Sequence, residues 1–481
     1  MRIFLLLLLG ALVSTGLRAQ KTGYQLEISI DNYEQDSLYL GYYFGDKQYL
    51  RDTAVAQAPG QFVFAGEEAL PAGMYLVVMA PNNDFFQLLV TEEEQQFAVR
   101  TNREDPVASM KVEGASDNQL FYDYLHFLNK NRPLAAQINQ QLSQVTAGSE
   151  QQAALQKQLE EINQQVIGQQ QEIVAEHPNT MTAAIIRANQ NLDMPEFEGN
   201  EEEVQNKRWR YTQKHFFDNI DLSDPRLLRT PFLFQRVDYF IHKLQVQHPD
   251  TIARSIDYVL EKMKPAEETF RFYLVHFLNE AARSKLVGMD AVYVHLVEKY
   301  YKKGLATWTD EETMKKIVEN AEVLKPLLIG KTAPNINLQK RDGSPIALHE
   351  VDAKYTVLYF WRYDCSHCKK STPDMKAFYD KFKDKGVELM AVCVKFTDEI
   401  EGCWEYVDEN ETEDWLHVVD PYNRSKYSAI YDIKSTPQLY ILDEDKKILS
   451  KKIGAEQLEE VMNQIMEQET AGSKSGKSSK R

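Results

Sequence analysis

The hydrophobic period changes twice along this chain, and each change restricts what the segment beside it can become. From Tyr24 to about Glu113 apolar and polar residues alternate, as in Tyr24, Leu26, Ile28 and Ile30. Runs from Leu38 to Tyr43, Phe62 to Phe64, Met74 to Met79, Phe85 to Val90 and Phe97 to Arg100 follow, separated by turn signals such as Pro59-Gly60 and Ala72-Gly73. A period of two places successive side chains on opposite faces of a strand, so residues 22–113 are expected to form a small antiparallel β-sandwich. Near Ser116 the period becomes helical. Ser116-Asp117-Asn118-Gln119 fits a capping box, and Leu120, Phe121, Tyr124, Leu125 and Leu128 share one face. A second cap at Ser149 to Gln152 precedes a stripe of Leu155, Leu159, Ile162, Val166 and Ile173, which matches Leu134, Ile138, Leu142 and Val145 on the preceding segment. The pattern lasts too few heptads for a dimerising coiled coil and predicts an antiparallel helix pair within the chain. Helical periodicity continues to about Leu328, giving an all-α middle domain over 114–327 in which Pro195, Pro225, Pro231, Pro249 and Pro265 should end or kink helices. The second change comes at Gly330. Strands at Val357 to Trp361, Val387 to Val394, Gln438 to Leu442 and Lys447 to Ile453 alternate with helices at Cys365 to Phe382, Gly402 to Asn410, Arg424 to Tyr431 and Ala455 to Met466. This predicts an α/β domain over 328–467, followed by a disordered Ser-, Gly- and Lys-rich tail over 468–481. Three folded units suit a chain of 481 residues, because domains usually run to about 100–200.

Residues 1–19 read as a secretory signal: Arg2, an apolar stretch from Ile3 to Val13, and the small-residue site Leu17-Arg18-Ala19 before Gln20. That stretch is too short for a bilayer, which needs about 20 apolar residues, and no later segment supplies them. No Cys follows the cleavage site to take a lipid. The expected location is therefore the periplasm or cell envelope, with no transmembrane segment after signal cleavage. The formal charge of −17 becomes −19 without Arg2 and Arg18, which argues against a nucleic-acid partner. The β and helical segments are read as scaffold. His215, His242, His248, His276 and His295 lack metal-ligand spacing.

Four cysteines are too few to staple a chain of this size, so a thiol pair should have chemical work. Cys365-Ser366-His367-Cys368 follows an apolar strand and opens a helix. Lys369 after the second Cys excludes haem attachment, and the ten-residue separation of Cys393 and Cys403 is not the second pair of a zinc ribbon. The reading calls for no metal and no cofactor. Unsatisfied amides at a helix N-terminus stabilise a negative sulfur, so Cys365 is the expected attacking thiolate. Cys368, one turn along and partly buried, is placed to resolve the mixed disulfide. His367 is expected to tune the couple towards oxidation and Asp364 to oppose it. Cys393 and Cys403 are either a second disulfide or separate buried thiols, and the sequence favours the separate thiols.

The Val357 to Lys369 segment with its CSHC, followed by Ser435-Thr436-Pro437 before a strand, resembles the thioredoxin superfamily. Gly330-x-x-Ala333-Pro334 and Asp342-Gly343 make residues 328–467 similar in particular to exported TlpA/ResA-like and AhpC/TSA-type redoxins. The three-part arrangement, with Gly73-Met74-Tyr75 in its β domain, resembles multidomain envelope proteins of Bacteroidetes. The resemblance implies a cis Pro437 lying against the CxxC, with the backbone of Thr436 pairing with a bound polypeptide; Thr436, Pro437 and Trp361 are the expected substrate contacts. Thioredoxins carry a buried Asp where this chain has Tyr359, so the proton acceptor of the family is absent there. The expected function is thiol-disulfide exchange on cysteine-containing exported proteins, with a redox partner that recycles the dithiol. Two other readings compete. A peroxidase would carry Pro and Thr or Ser where this chain has Leu358 and Arg362, and a non-enzymatic envelope binding protein would leave an intact CxxC without use.

Overall fold

The computed structural model describes residues 23–478; the expected signal, residues 1–19, lies outside the described residues. The chain divides into two compact units at Phe240/Ile241. In the first, β1 (Tyr24–Asp31), β2 (Ser37–Phe44), β3 (Lys47–Val55), β4 (Gln61–Gly66), β5 (Gly73–Met79), β6 (Asp84–Val90), β7 (Gln96–Asn102) and β8 (Lys111–Glu113) form two four-stranded sheets. Their orders are β4-β1-β7-β8 and β3-β2-β5-β6. The alternation read in the sequence is the core: Leu26 and Ile28 of β1 are buried with Leu38, Leu40, Phe62, Phe64 and Val77. One ladder departs from the antiparallel expectation. β1 and β7 run parallel, from Gln25 opposite Gln96 to Asp31 opposite Asn102, because alternation reports which face a side chain takes and not strand direction.

The helices that follow join that same core, so the change of period at Ser116 is not a change of unit. Phe121 and Tyr122 of the Ser116–Leu142 helix and Met181 and Ile185 of the Met181–Asn189 helix lie in the sandwich cluster. The expected capping box at Ser116 does not form. Ala115 is the N-cap, and the Glu94 carboxylate accepts from the Ser116 N–H at 2.6 Å. Asp117 is thereby free to cap the later helix, accepting from the N–H groups of Met181 (2.6 Å) and Thr182 (3.0 Å) while itself 4% exposed. The second expected cap does form, Ser149 Oγ accepting from the Gln152 N–H at 3.1 Å before the Glu150–Glu176 helix. Pro225, Pro231 and Pro249 open helical segments where the sequence led us to expect ends or kinks. At the first helical position the missing N–H costs nothing and the fixed φ suits the helix.

In the second unit the Pro249–Met263, Glu267–Arg283, Asp290–Leu296 and Glu311–Leu324 helices precede a seven-stranded mixed sheet. Its strands are β9 (Asn337–Gln339), β10 (Pro345–Ala347), β11 (Tyr355–Trp361), β12 (Val387–Cys393), β13 (Leu416–Val419), β14 (Gln438–Leu442) and β15 (Ile448–Lys451), in the order β10-β9-β13-β12-β11-β14-β15. β11, β12 and β13 run parallel, and β14 and β15 add antiparallel. The segment before β9 covers the β15 edge, Gly330 N–H donating to the Ile448 carbonyl at 2.8 Å and Ala333 N–H to that of Lys446 at 2.8 Å. Lys451, its side chain 2% exposed, reaches Asp290 and the Leu327 carbonyl, which ties β15 to the helices of this unit. The last helix, Leu458–Ser478, continues past residue 468, where a disordered tail was expected. Glu469 accepts from Tyr355 Oη at 2.7 Å and pairs with Lys354 at 3.2 Å, contacts that composition does not disclose. Among the described residues no helix is long and apolar enough to cross a membrane.

Candidate redox site at a helix N-terminus

Every residue of β11 is buried, because both faces of the sheet are covered. Val357, Tyr359 and Trp361 face one cluster together with Cys368, and Leu358 and Phe360 face the other. A strand held on both sides fixes where the chain emerges, and after a short turn Cys365 becomes the N-cap of the Ser366–Phe382 helix with φ −91° and ψ 117°. Its Sγ accepts from the Cys368 N–H at 3.3 Å, and the thiol faces the Thr436 carbonyl at 3.3 Å. Burial pushes the Cys365 thiol up. Hydrogen bonds from the side chains of Cys368 and Thr436, with the main-chain N–H groups of Cys368 and His367, outweigh that and hold it below the usual thiol range. Cys368, 1% exposed, goes the other way: burial first, then its bond to Cys365, push it up to about 12. Two chemically identical side chains three residues apart thus form one ionisable, reachable thiol and one kept protonated beneath it.

The neighbours of this pair come from four segments. Thr436, whose carbonyl faces Cys365, is joined to Pro437 by a cis peptide bond, and both residues are half-buried. A groove of about 410 Å³ is lined by Cys365, Thr436, Arg362, Phe396, Ile433 and Lys434 among others. His367 is exposed, and what it gives Cys365 here is its main-chain N–H. Asp364 does not stand alone against the thiolate, because Lys395 (2.9 Å) and Arg362 (3.2 Å) both pair with it. Burial raises its carboxyl, but the Lys395 bond and both cations bring it below the usual range. Trp361, an expected substrate contact, is 3% exposed and packs against Tyr406 and His417, so it supports the site from below and does not line the groove. Tyr359, in the position of the missing carboxylate, is held strongly neutral by burial and by the nearby Cys368.

Cys393 and Cys403, favoured as separate thiols, are joined in a disulfide with their Cα atoms 6.4 Å apart. β12 ends at Cys393, and the Glu401–Glu409 helix folds Cys403 back over that end, a return that spacing does not reveal. Sequence reasoning also passed over Lys395 and Phe396, which lie 27 and 28 residues beyond Cys368 and reach the site because β12 pairs with β11 as far as Trp361–Cys393. Among the described residues no group of three or more His, Cys, Asp or Glu side chains is placed to hold a metal ion.

A mixed sheet of this order with an asymmetric dithiol at the N-terminus of its first helix defines a redoxin of the thioredoxin fold. The AhpC/TSA family model matches residues 329–451, while two domains of unknown function, DUF5106 and DUF4369, match 168–325 and 24–121. The thiol-disulfide oxidoreductase ResA of Bacillus cereus is 31% identical over 150 residues, covering 28% of this chain and 78% of that protein. ResA of Bacillus subtilis is 30% identical over 149 residues, covering 30% and 79%. A solved domain of a "possible thiol-disulfide isomerase" from Cytophaga hutchinsonii is 35% identical, with 30% of this chain and 98% of that domain covered and a TM-score of 0.29. The chain belongs to the ResA-like redoxins of the AhpC/TSA family, and it is a thiol-disulfide oxidoreductase.

Proposed function

We propose that the enzyme works through Cys365 and Cys368 as a dithiol/disulfide couple on cysteine-containing exported proteins. The supporting observation is the placement of the pair: Cys365 caps the helix with its sulfur accepting from the Cys368 N–H at 3.3 Å, and Cys368 is buried one turn along, which sends the two acidities in opposite directions. The Cys365 thiolate attacks one sulfur of a substrate disulfide, forming a mixed disulfide and releasing the other substrate sulfur as a thiolate that takes up a proton. Cys368 then gives up its proton and attacks the Cys365 sulfur. The second substrate thiol leaves, the substrate is reduced by two electrons, and Cys365–Cys368 is oxidised. A partner dithiol reverses the cycle, and the net direction follows from the potentials of the two couples. Thr436 borders the groove where a polypeptide would lie and Pro437 follows it in the chain, His367 would tune the potential from the exposed side, and the segment 1–19 would direct the chain to the periplasm or envelope.

Insulin reduction with Cys365→Ser and Cys368→Ser variants tests this. Both should lose turnover, and Cys368→Ser should accumulate a mixed disulfide with substrate, visible as an added mass that dithiothreitol removes. Full activity in Cys365→Ser would sink the assignment.

A further inference from the structure

The segment closed by the Cys393–Cys403 disulfide touches the redox site in three ways. Val394 and Phe396 line the groove that holds Cys365, and Phe396 is 44% exposed, a large apolar ring with no core around it. Lys395, its side chain 9% exposed, binds Asp364 at 2.9 Å and Glu399 at 2.6 Å, and its ammonium lies 5.1 Å from the centre of the Tyr363 ring. Gly402 packs so closely on Tyr363 that a Cβ there would stand 2.6 Å from the ring. Tyr363 and Asp364 are the two residues before Cys365. Both ends of the closed segment are anchored in the core, Cys393 beside Trp361 on β11 and Cys403 at 0% exposure on its helix. Thr397 is tied at its middle, donating to the Pro421 carbonyl from N–H (3.2 Å) and Oγ1 (2.8 Å). Closing a short loop removes conformations from its residues, so the bond limits where Lys395 and Phe396 can stand.

We propose that the Cys393–Cys403 disulfide is a positioning element for the redox reaction, and that Phe396, held by it, selects polypeptide substrates carrying an apolar side chain next to the reacting cysteine. This rests on the Cys365/Cys368 reading above. An apolar neighbour laid on the exposed ring leaves water together with it, while a substrate with glycine there gains nothing from the contact. The disulfide itself exchanges no electrons in this role.

The test uses the full chain and two disulfide-linked peptides that differ in having Leu or Gly beside the cysteine. Wild type should show a KM at least threefold lower for the Leu peptide. Phe396→Ala should erase that preference through KM with kcat within twofold, and Phe396→Leu should restore most of it. The Cys393→Ala/Cys403→Ala variant should raise the KM of the Leu peptide at least threefold, with iodoacetamide alkylating Cys365 at within twofold of the wild-type rate. A folded double variant that keeps both KM and preference overturns the positioning role. Where that variant does not fold, Phe396→Ala decides, and an unchanged preference overturns the proposal. Failure of the dithiol reading looks different, since Cys365→Ser would then still turn over both peptides.

Discussion

Cys365 and Cys368 differ because of where the helix begins, not because of what they are. The first sulfur sits where amides have no helical acceptor and the second where water is excluded, which is enough to send their acidities in opposite directions. A thiol reacts as its anion, so alkylation of Cys365 by iodoacetamide should rise with pH and level off with a midpoint below about 8.5, the value of a free thiol. Cys368 should resist labelling until close to its value of about 12. The same titration in Lys395→Met should move the Cys365 midpoint up, because the Asp364 carboxylate beside it then keeps one cation fewer. The cysteine spacing, the proline and the absent carboxylate at Tyr359 were all legible in the sequence. Lys395 was not, because strand pairing carries it across 31 residues to Asp364 and no local pattern records that pairing.

Elements were legible in proportion to how far their own residues decide them. β14, Gln438–Leu442, has the expected bounds, and β11 extends the expected run by two residues, since a continuous apolar stretch marks a strand covered on both faces. β13 was missed because Leu416-His417-Val418-Val419 is four residues long with a histidine inside, and its partners β12 and β9 supply what its own pattern lacks. The caps teach the same lesson from the other side. Asp117 was read as part of its own helix start, yet it serves a helix 64 residues later, which depends on tertiary placement. Asp117→Ala would leave the buried N–H groups of Met181 and Thr182 unpaired, and urea unfolding should register a loss of about 2–4 kcal/mol in the first unit.

At the scale of the molecule, three sequence patterns fold as two units: the Ser116–Leu142 and Met181–Asn189 helices put side chains into the sandwich core, and the helices from Pro249 onward share a unit with the redoxin. Lys451 and Asp290 show what that sharing involves. Burial lowers the lysine and Asp290 opposes the shift, so the ammonium depends on one carboxylate and one carbonyl. Asp290→Ala should therefore destabilise the second unit by about 3–5 kcal/mol in thermal or denaturant unfolding, whereas replacing both residues by apolar ones of similar size should cost far less. The pair also bears on anyone wishing to transplant the redox activity. A graft cut at residue 328 would carry away a cation trimmed for a dry niche and leave its counter-charge behind. A transferable cassette has to start upstream of Asp290, with the helix that supplies the missing charge.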